Sequence, residues 1–165
     1  MLKVGIIHKF ANKKAMITKK KIDDFLKNKK LAIVGVSRAP KSFSREVYRE
    51  LRKRGYELLA VNPYAEEIEG DRCYKNIEDL PPDAGNILIV TPKKETDQVL
   101  RSAINRGFTN IWVQQMSETA DTIRIAEEFN VELIHNKCIF MFTEPISGIH
   151  NFHRTIMKIF RRLPK

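Results

Sequence analysis

The chain has 165 residues, 30 Lys/Arg against 20 Asp/Glu, a formal net charge of +10, and 42% hydrophobic residues. That length suits a single domain able to bury a core without disulfide or metal staples, and Cys73 and Cys138 lie far apart with no CxxC partner, the pattern of a reduced, cytosolic protein. No apolar run approaches the roughly 20 residues of a membrane helix, and Met1–Ile7 is too short for the apolar segment of a secretion signal.

In chain order, residues 1–21 carry seven Lys and no acid, and residues 1–17 read as an N-terminal extension of uncertain order. Thr18 is placed to cap a short helix with Ile22, Phe25 and Leu26 as its apolar stripe, ending near Asn28. Residues 31–36 form an expected first strand, Leu-Ala-Ile-Val-Gly-Val, which runs through a small-residue turn into a helix over 42–54. Phe43, Val47, Tyr48 and Leu51 share one face of that helix, and Gly55 stops it. A second strand, 57–63, ends at Pro63, which cannot donate to a ladder. A polar connection follows, with a short extended piece near 72–74 and one helical turn from Ile77 to the Pro81-Pro82 stop.

Residues 86–92 are the third strand, apolar through its middle as a strand covered on both faces must be. The next helix, about 94–106, turns Val99, Leu100, Ala103 and Ile104 inward and stops at Gly107. Strand four is 110–114. Ser117 is the expected cap of a helix burying Ala120, Ile123, Ala126 and Phe129, and residues 131–135 are strand five. A last amphipathic helix over about 149–162 puts Ile149, Phe152, Ile156, Ile159, Phe160 and Leu163 on one stripe and Arg154, Lys158, Arg161 and Arg162 on the other.

Strands alternating with helices through short connections argue an α/β fold: a three-layer, Rossmann-like parallel sheet of about five strands, residues 18–165 forming one domain with the added C-terminal helix. The positive charge sits at the ends. Residues 149–165 add five Lys/Arg and no acid, while 22–148 hold 18 Lys/Arg against all 20 acids, a distribution that argues against nucleic-acid binding by the sheet domain. The basic C-terminal helix leaves open an interaction role on nucleic acid, a membrane surface or an acidic protein partner, and a homodimer contact is also open.

Ligands of an open parallel sheet sit beyond the carboxyl ends of its strands, where strand order reverses. The residues there are Gly35, Val36, Ser37, Arg38, Pro40, Lys41 and Ser42 in the first turn, Asn62 and Pro63 after strand two, Thr91 and Pro92 after strand three, and Gln114 on strand four. A helix N-terminus after a small-residue turn favours phosphate, and Arg38, Lys41 and Arg45 stand near it. The turn is not G-x-G-x-x-G, and Asn62-Pro63-Tyr64 stands where an acid would hold an NAD ribose. Both absences count against a nicotinamide dehydrogenase. An NAD(H)- or nucleotide-responsive regulator using the same pocket is the alternative.

Gly35-x-Ser37-x-x-Pro40, Gly55-Tyr56, Val61-Asn62-Pro63, Ile68-x-Gly70, Pro92, Trp112-x-Gln114 and Cys138 together resemble the small Rossmann-type CoA-binding proteins. These are related to the CoA-binding domains of succinyl-CoA synthetase and of ADP-forming acyl-CoA synthetases. The resemblance spans residues 20–140, and the ending from Cys138 to Pro145 with His150-x-x-His153-Arg154 is similar to a prokaryotic subgroup. Two positions depart from the family pattern: Met116 replaces a usual Gly, and Ile139 a usual Pro. The resemblance implies coenzyme A or an acyl-CoA as ligand, its diphosphate on the Gly35–Ser42 turn, with Asn62-Pro63 and Thr91-Pro92 flanking the adenosine and the pantetheine path. The synthetases also use a phosphohistidine loop and a nucleotide-grasp module, for which 165 residues leave no room. Binding without catalysis is therefore expected.

His135, Cys138, His150 and His153 match no compact zinc motif, and no metal site or catalytic set is assigned. Cys138 as a nucleophile would need a depressed pKa that nothing in the sequence supplies.

Overall fold

The computed structural model describes residues 17–143. It contains helices α1 (Lys19–Lys27), α2 (Phe43–Lys53), α3 (Lys93–Asn105) and α4 (Ala120–Glu128). Its strands are β1 (Lys30–Val34), β2 (Glu57–Val61), β3 (Glu67–Ile68), β4 (Asp71–Tyr74), β5 (Asn86–Ile89), β6 (Ile111–Gln114) and β7 (Leu133–Lys137). The extension before residue 17, the helix expected over 149–162, and His150 and His153 lie outside the described residues.

The seven strands form one sheet in the order β3-β4-β2-β1-β5-β6-β7. The five expected strands are β1, β2, β5, β6 and β7, all parallel where they pair. The extended piece near 72–74 becomes β4, parallel to β2, and it carries the two-residue β3 antiparallel at the edge. Strands this short hold no readable periodicity, which is why the sheet is wider than the sequence indicates.

Alternation along β1 builds the layers. Leu31 and Ile33 face a core shared with Ile22 and Phe25 of α1 and Val47, Tyr48 and Leu51 of α2. Ala32 and Val34 face the opposite core, with Leu100 and Ala103 of α3 and Ile125 and Ala126 of α4. The result is the three-layer, Rossmann-like arrangement.

Local capping follows the side chains. Thr18 accepts from the Lys21 N–H at 3.2 Å, and Ser42 from the Arg45 N–H at 3.3 Å. The cap of α4 is Thr119, not Ser117: Thr119 and Thr122 exchange hydrogen bonds of 3.1 and 2.9 Å, while the Ser117 N–H closes a turn onto the Gln114 carbonyl at 2.9 Å. The inward face of α4 differs accordingly. Thr122, Ile125 and Ala126 are buried, whereas Ala120 and Phe129 are exposed and Ile123 is half-buried. Phe43 is also exposed, at the first position of α2, where its ring meets Phe140 edge-on.

Candidate functional site

Strand order reverses between β1 and β5: the chain leaves β1 toward β2 on one side and returns as β5 on the other. The crevice above that junction is where an open α/β sheet takes a ligand. Its floor is Gly35, whose N–H donates to the Val61 carbonyl at 3.0 Å. Gly35 has φ +93°, and a Cβ there would lie 2.8 Å from Thr91 Cγ2 and 3.0 Å from the Thr91 nitrogen. Only a residue without a side chain lets the turn approach the end of β5 so closely.

The rest of the turn is held by its own small polar groups. The Ser37 N–H donates to Ser44 Oγ at 2.9 Å, and the Ala39 N–H to Ser37 Oγ at 3.1 Å. The Ser42 N–H donates to the Ala39 carbonyl at 3.1 Å. From β2, Asn62 Nδ2 donates to the Val36 carbonyl at 2.7 Å, and Asn62 Oδ1 accepts from the Tyr64 N–H at 2.8 Å. Asn62 thus ties the β2 end to the turn, and Pro63 beside it is exposed. The N–H groups of Arg38, Lys41, Phe43 and Ser44 have no acceptor among the described residues. Those are the donors an anion at the start of α2 would use.

The three cations near the turn separate into two kinds. Arg38 and Lys41 are exposed and form no ion pair among the described residues. Arg45 is directed elsewhere, onto Glu69 and the carbonyls of Ser37 and Arg38. Thr91 is buried and shares a 2.8 Å hydrogen bond with Thr96 of α3, fixing the β5 end, while Pro92 is exposed at the N-cap of α3. Gln114 is buried, and its Oε1 accepts from the Ile139 N–H at 3.2 Å, anchoring the segment after β7. Its polar group is thereby engaged within the protein. Cys138 borders this anchor, and burial pushes its thiol up, away from the thiolate a nucleophile needs.

A cleft of about 410 Å³ opens nearby between the first turns of α3 and α4, lined by Lys93, Lys94, Asp97, Thr119, Ala120 and Asp121. None of the residues expected at the site lines it. Residues that local reading passed over are Ser44, Arg49 and Glu69. The only sequence signal for them was the 45/49 spacing of two arginines on one helix face.

Met116 has φ +74° and is 77% exposed, in the place where the family pattern has Gly. A side chain in the left-handed region is strained and here contributes little packing. Met116→Gly is therefore expected to raise stability by about 0.5–1 kcal/mol after the glycine's unfolded-state entropy is subtracted. Urea unfolding checks it, and a destabilised Gly variant would mean that the methionine side chain packs on something.

Comparison with known proteins bears on the family and the fold. A family model described as a CoA binding domain matches residues 29–144. The alpha subunit of the ADP-forming acetate–CoA ligase II of Pyrococcus furiosus is 26% identical over 155 residues, covering 87% of this chain but only 32% of that subunit. The chain thus spans about a third of that relative. The uncharacterized protein YneT of Bacillus subtilis is 25% identical over 116 residues, covering 68% of this chain and 84% of that protein. Among solved structures, a conserved hypothetical protein of Pyrococcus furiosus superposes with a TM-score of 0.66 at 36% identity, covering 69% of this chain and 98% of that one. A hypothetical protein of Pyrococcus horikoshii gives a TM-score of 0.69 at 28% identity, over 74% and 87%. A family match extending from β1 through β7, on a sheet whose order reverses at the Gly35 turn, places this chain in the CoA-binding domain family.

Proposed function

We propose that this protein binds coenzyme A or an acyl-CoA without transforming it, with the diphosphate on the turn from Gly35 to Ser42. The observation that carries the reading is the set of N–H groups at Arg38, Lys41, Phe43 and Ser44 that have no acceptor among the described residues, beside the Arg38 and Lys41 side chains, which form no ion pair among them. Donors and cations converge there at the point where the strand order reverses, the combination a diphosphate needs. Val36 and Ser37 shape the turn, and Pro40 sets its corner. Asn62-Pro63 and Thr91-Pro92 border it from either side, as the flanks of the adenosine and the pantetheine arm. Gln114 acts behind them by holding the Ile139 segment. The non-catalytic part of the reading is supported by the Cys138 thiol, which burial pushes up, so it favours the unreactive protonated form.

Thermal-shift and calorimetric titrations with CoA, acetyl-CoA, NAD(H), NADP(H) and ATP test the reading. A ligand that binds only the folded protein stabilises it by about 2.7 kcal/mol at 100 times its Kd, and CoA is the one expected to do so. Lys41→Ala combined with Ser37→Ala removes a cation and the Ser37 hydroxyl that orders the turn, and is expected to weaken CoA binding about tenfold or more. An unchanged affinity in the folded double variant, or a response to NAD(H) alone, overturns the assignment.

A further inference from the structure

The tip of the β3–β4 hairpin reaches the turn after β1 through two arginines of α2. Ile68 pairs with Asp71 across the two-residue loop Glu69-Gly70, whose φ angles are +54° and +84°. Two positive angles in succession mark a type I′ turn, where Asn, Asp or Gly fits the first place at little cost and a glutamate does not. The side chain supplies the reason for the glutamate. Glu69 Oε1 accepts from Arg45 Nε at 2.8 Å and from Arg49 Nε at 2.9 Å, and Arg45 Nη2 donates to it as well. Those hydrogen bonds, from Arg49 and then Arg45, hold the Glu69 carboxyl down to about 2, so the group is charged at any ordinary pH. Arg52 Nη1 donates to the Glu69 carbonyl at 2.8 Å and fixes the tip itself.

The same guanidinium groups also donate into the turn. Arg45 Nη1 donates to the Ser37 carbonyl at 3.3 Å and the Arg38 carbonyl at 3.5 Å, and Arg49 Nη1 to the Pro40 carbonyl at 2.8 Å. The planar trans peptide makes this consequential, because its C=O and N–H point in opposite directions. The Ser37 carbonyl shares a peptide unit with the Arg38 N–H, and the Pro40 carbonyl with the Lys41 N–H. Holding the two carbonyls toward Arg45 and Arg49 turns the two free N–H groups the other way.

We propose that Glu69 is a positioning residue for the ligand turn: through Arg45 and Arg49 it fixes the Ser37 and Pro40 peptide units so that the Arg38 and Lys41 N–H groups are preset to receive an anion. The role in ligand affinity rests on the reading of this turn as the CoA diphosphate site. The ordering of the turn does not.

Glu69→Asn tests it cleanly, because asparagine suits the type I′ position while lacking the charge and the reach to both arginines. The variant is expected to fold and to unfold at or somewhat below the wild-type temperature, because the turn preference of asparagine offsets part of the loss of the ion pairs to Arg45 and Arg49. In the ligand-free protein its hydrogen-bonded amides at Ser37, Ala39 and Ser42 are expected to exchange faster with solvent, and its CoA affinity to fall about tenfold, the effect of losing a charged hydrogen-bonded anchor. Arg49→Lys, at a half-exposed position, keeps the charge but not the two-sided donation, and is expected to give a smaller loss in the same direction. Wild-type exchange in both variants overturns the proposal, as does a loosened turn with wild-type CoA affinity. If the turn loosens in Glu69→Asn while the wild-type protein binds no CoA, the coenzyme reading alone fails, and the ordering of the turn by Glu69 stands on the exchange data.

Discussion

Gly35→Ala is expected to abolish measurable CoA binding and to lower the free energy of unfolding by about 2–4 kcal/mol. Two costs add. The residue has φ +93°, a region a side chain enters at a cost of about 1–2 kcal/mol. The new methyl would also stand 2.8 Å from Thr91 Cγ2 and 3.0 Å from both the Thr91 nitrogen and the Val90 carbonyl carbon. Two of those neighbours are backbone, and the third belongs to a side chain tied to Thr96 at 2.8 Å, so none yields easily. Relief comes from moving the turn away from β5, which separates the two sides of the crevice. Gly107→Ala is the matched control. Its φ of +96° is similar, but a Cβ there meets nothing within 4 Å. It is expected to lose only the backbone cost and to keep wild-type CoA affinity. Chemical denaturation and calorimetry on both variants decide the matter, and a Gly35→Ala protein that binds CoA normally would remove this turn from the site.

The second large effect is at Trp112, where truncation to Ala is expected to cost about 3–5 kcal/mol. Trp112 is fully buried at the middle of β6. Its ring meets Phe25 of α1 at 5.3 Å and Phe142 beyond β7 at 5.9 Å, both edge-on, and its Nε1–H donates to the Lys137 carbonyl at 3.0 Å. One side chain therefore joins the first helix, the sheet and the segment that Gln114 anchors. That hydrogen bond lies where the β6–β7 register shifts between Trp112 and Gln114, so the indole bridges an irregular stretch of the ladder. Trp112→Phe keeps most of the packing and removes the indole bond while the Lys137 carbonyl still accepts from the Gln115 N–H at 3.1 Å, for an expected loss of about 0.5–1.5 kcal/mol from that bond. Equal losses in the Ala and Phe variants would assign the whole effect to the hydrogen bond and none to the packing.

Neighbouring residues carried what could be read without coordinates. Leu31–Val34 and Ile87–Ile89 are apolar runs whose alternate side chains meet different helices, so a strand covered on both faces was evident from composition alone. Thr18 before Lys19 announced its cap, since a cap bonds within three residues, whereas Ser42, read as the first residue of its helix, is the cap itself. The same locality explains the misreadings. In α4 the three-residue spacing of Ala120, Ile123, Ala126 and Phe129 drifts around a helix of 3.6 residues per turn, and the sheet selected Thr122, Ile125 and Ala126 instead. Ser117 had the right chemistry for a cap, but the turn closing onto Gln114 placed the helix two residues further along.

By itself, then, the sequence determined the strand–turn–helix at Gly35, the parallel α/β sheet and the family resemblance, because each depends on residues a few positions apart. Tertiary structure alone decided the direction of the cations. Arg38 and Lys41 form no ion pair among the described residues, while Arg45 was drawn to Glu69, 24 residues away along the chain. It also decided that Gln114 serves the Ile139 segment, 25 residues on. A hydrogen bond is chosen by which donors and acceptors the packed sheet brings within about 3 Å, and spacing along the chain does not contain that distance.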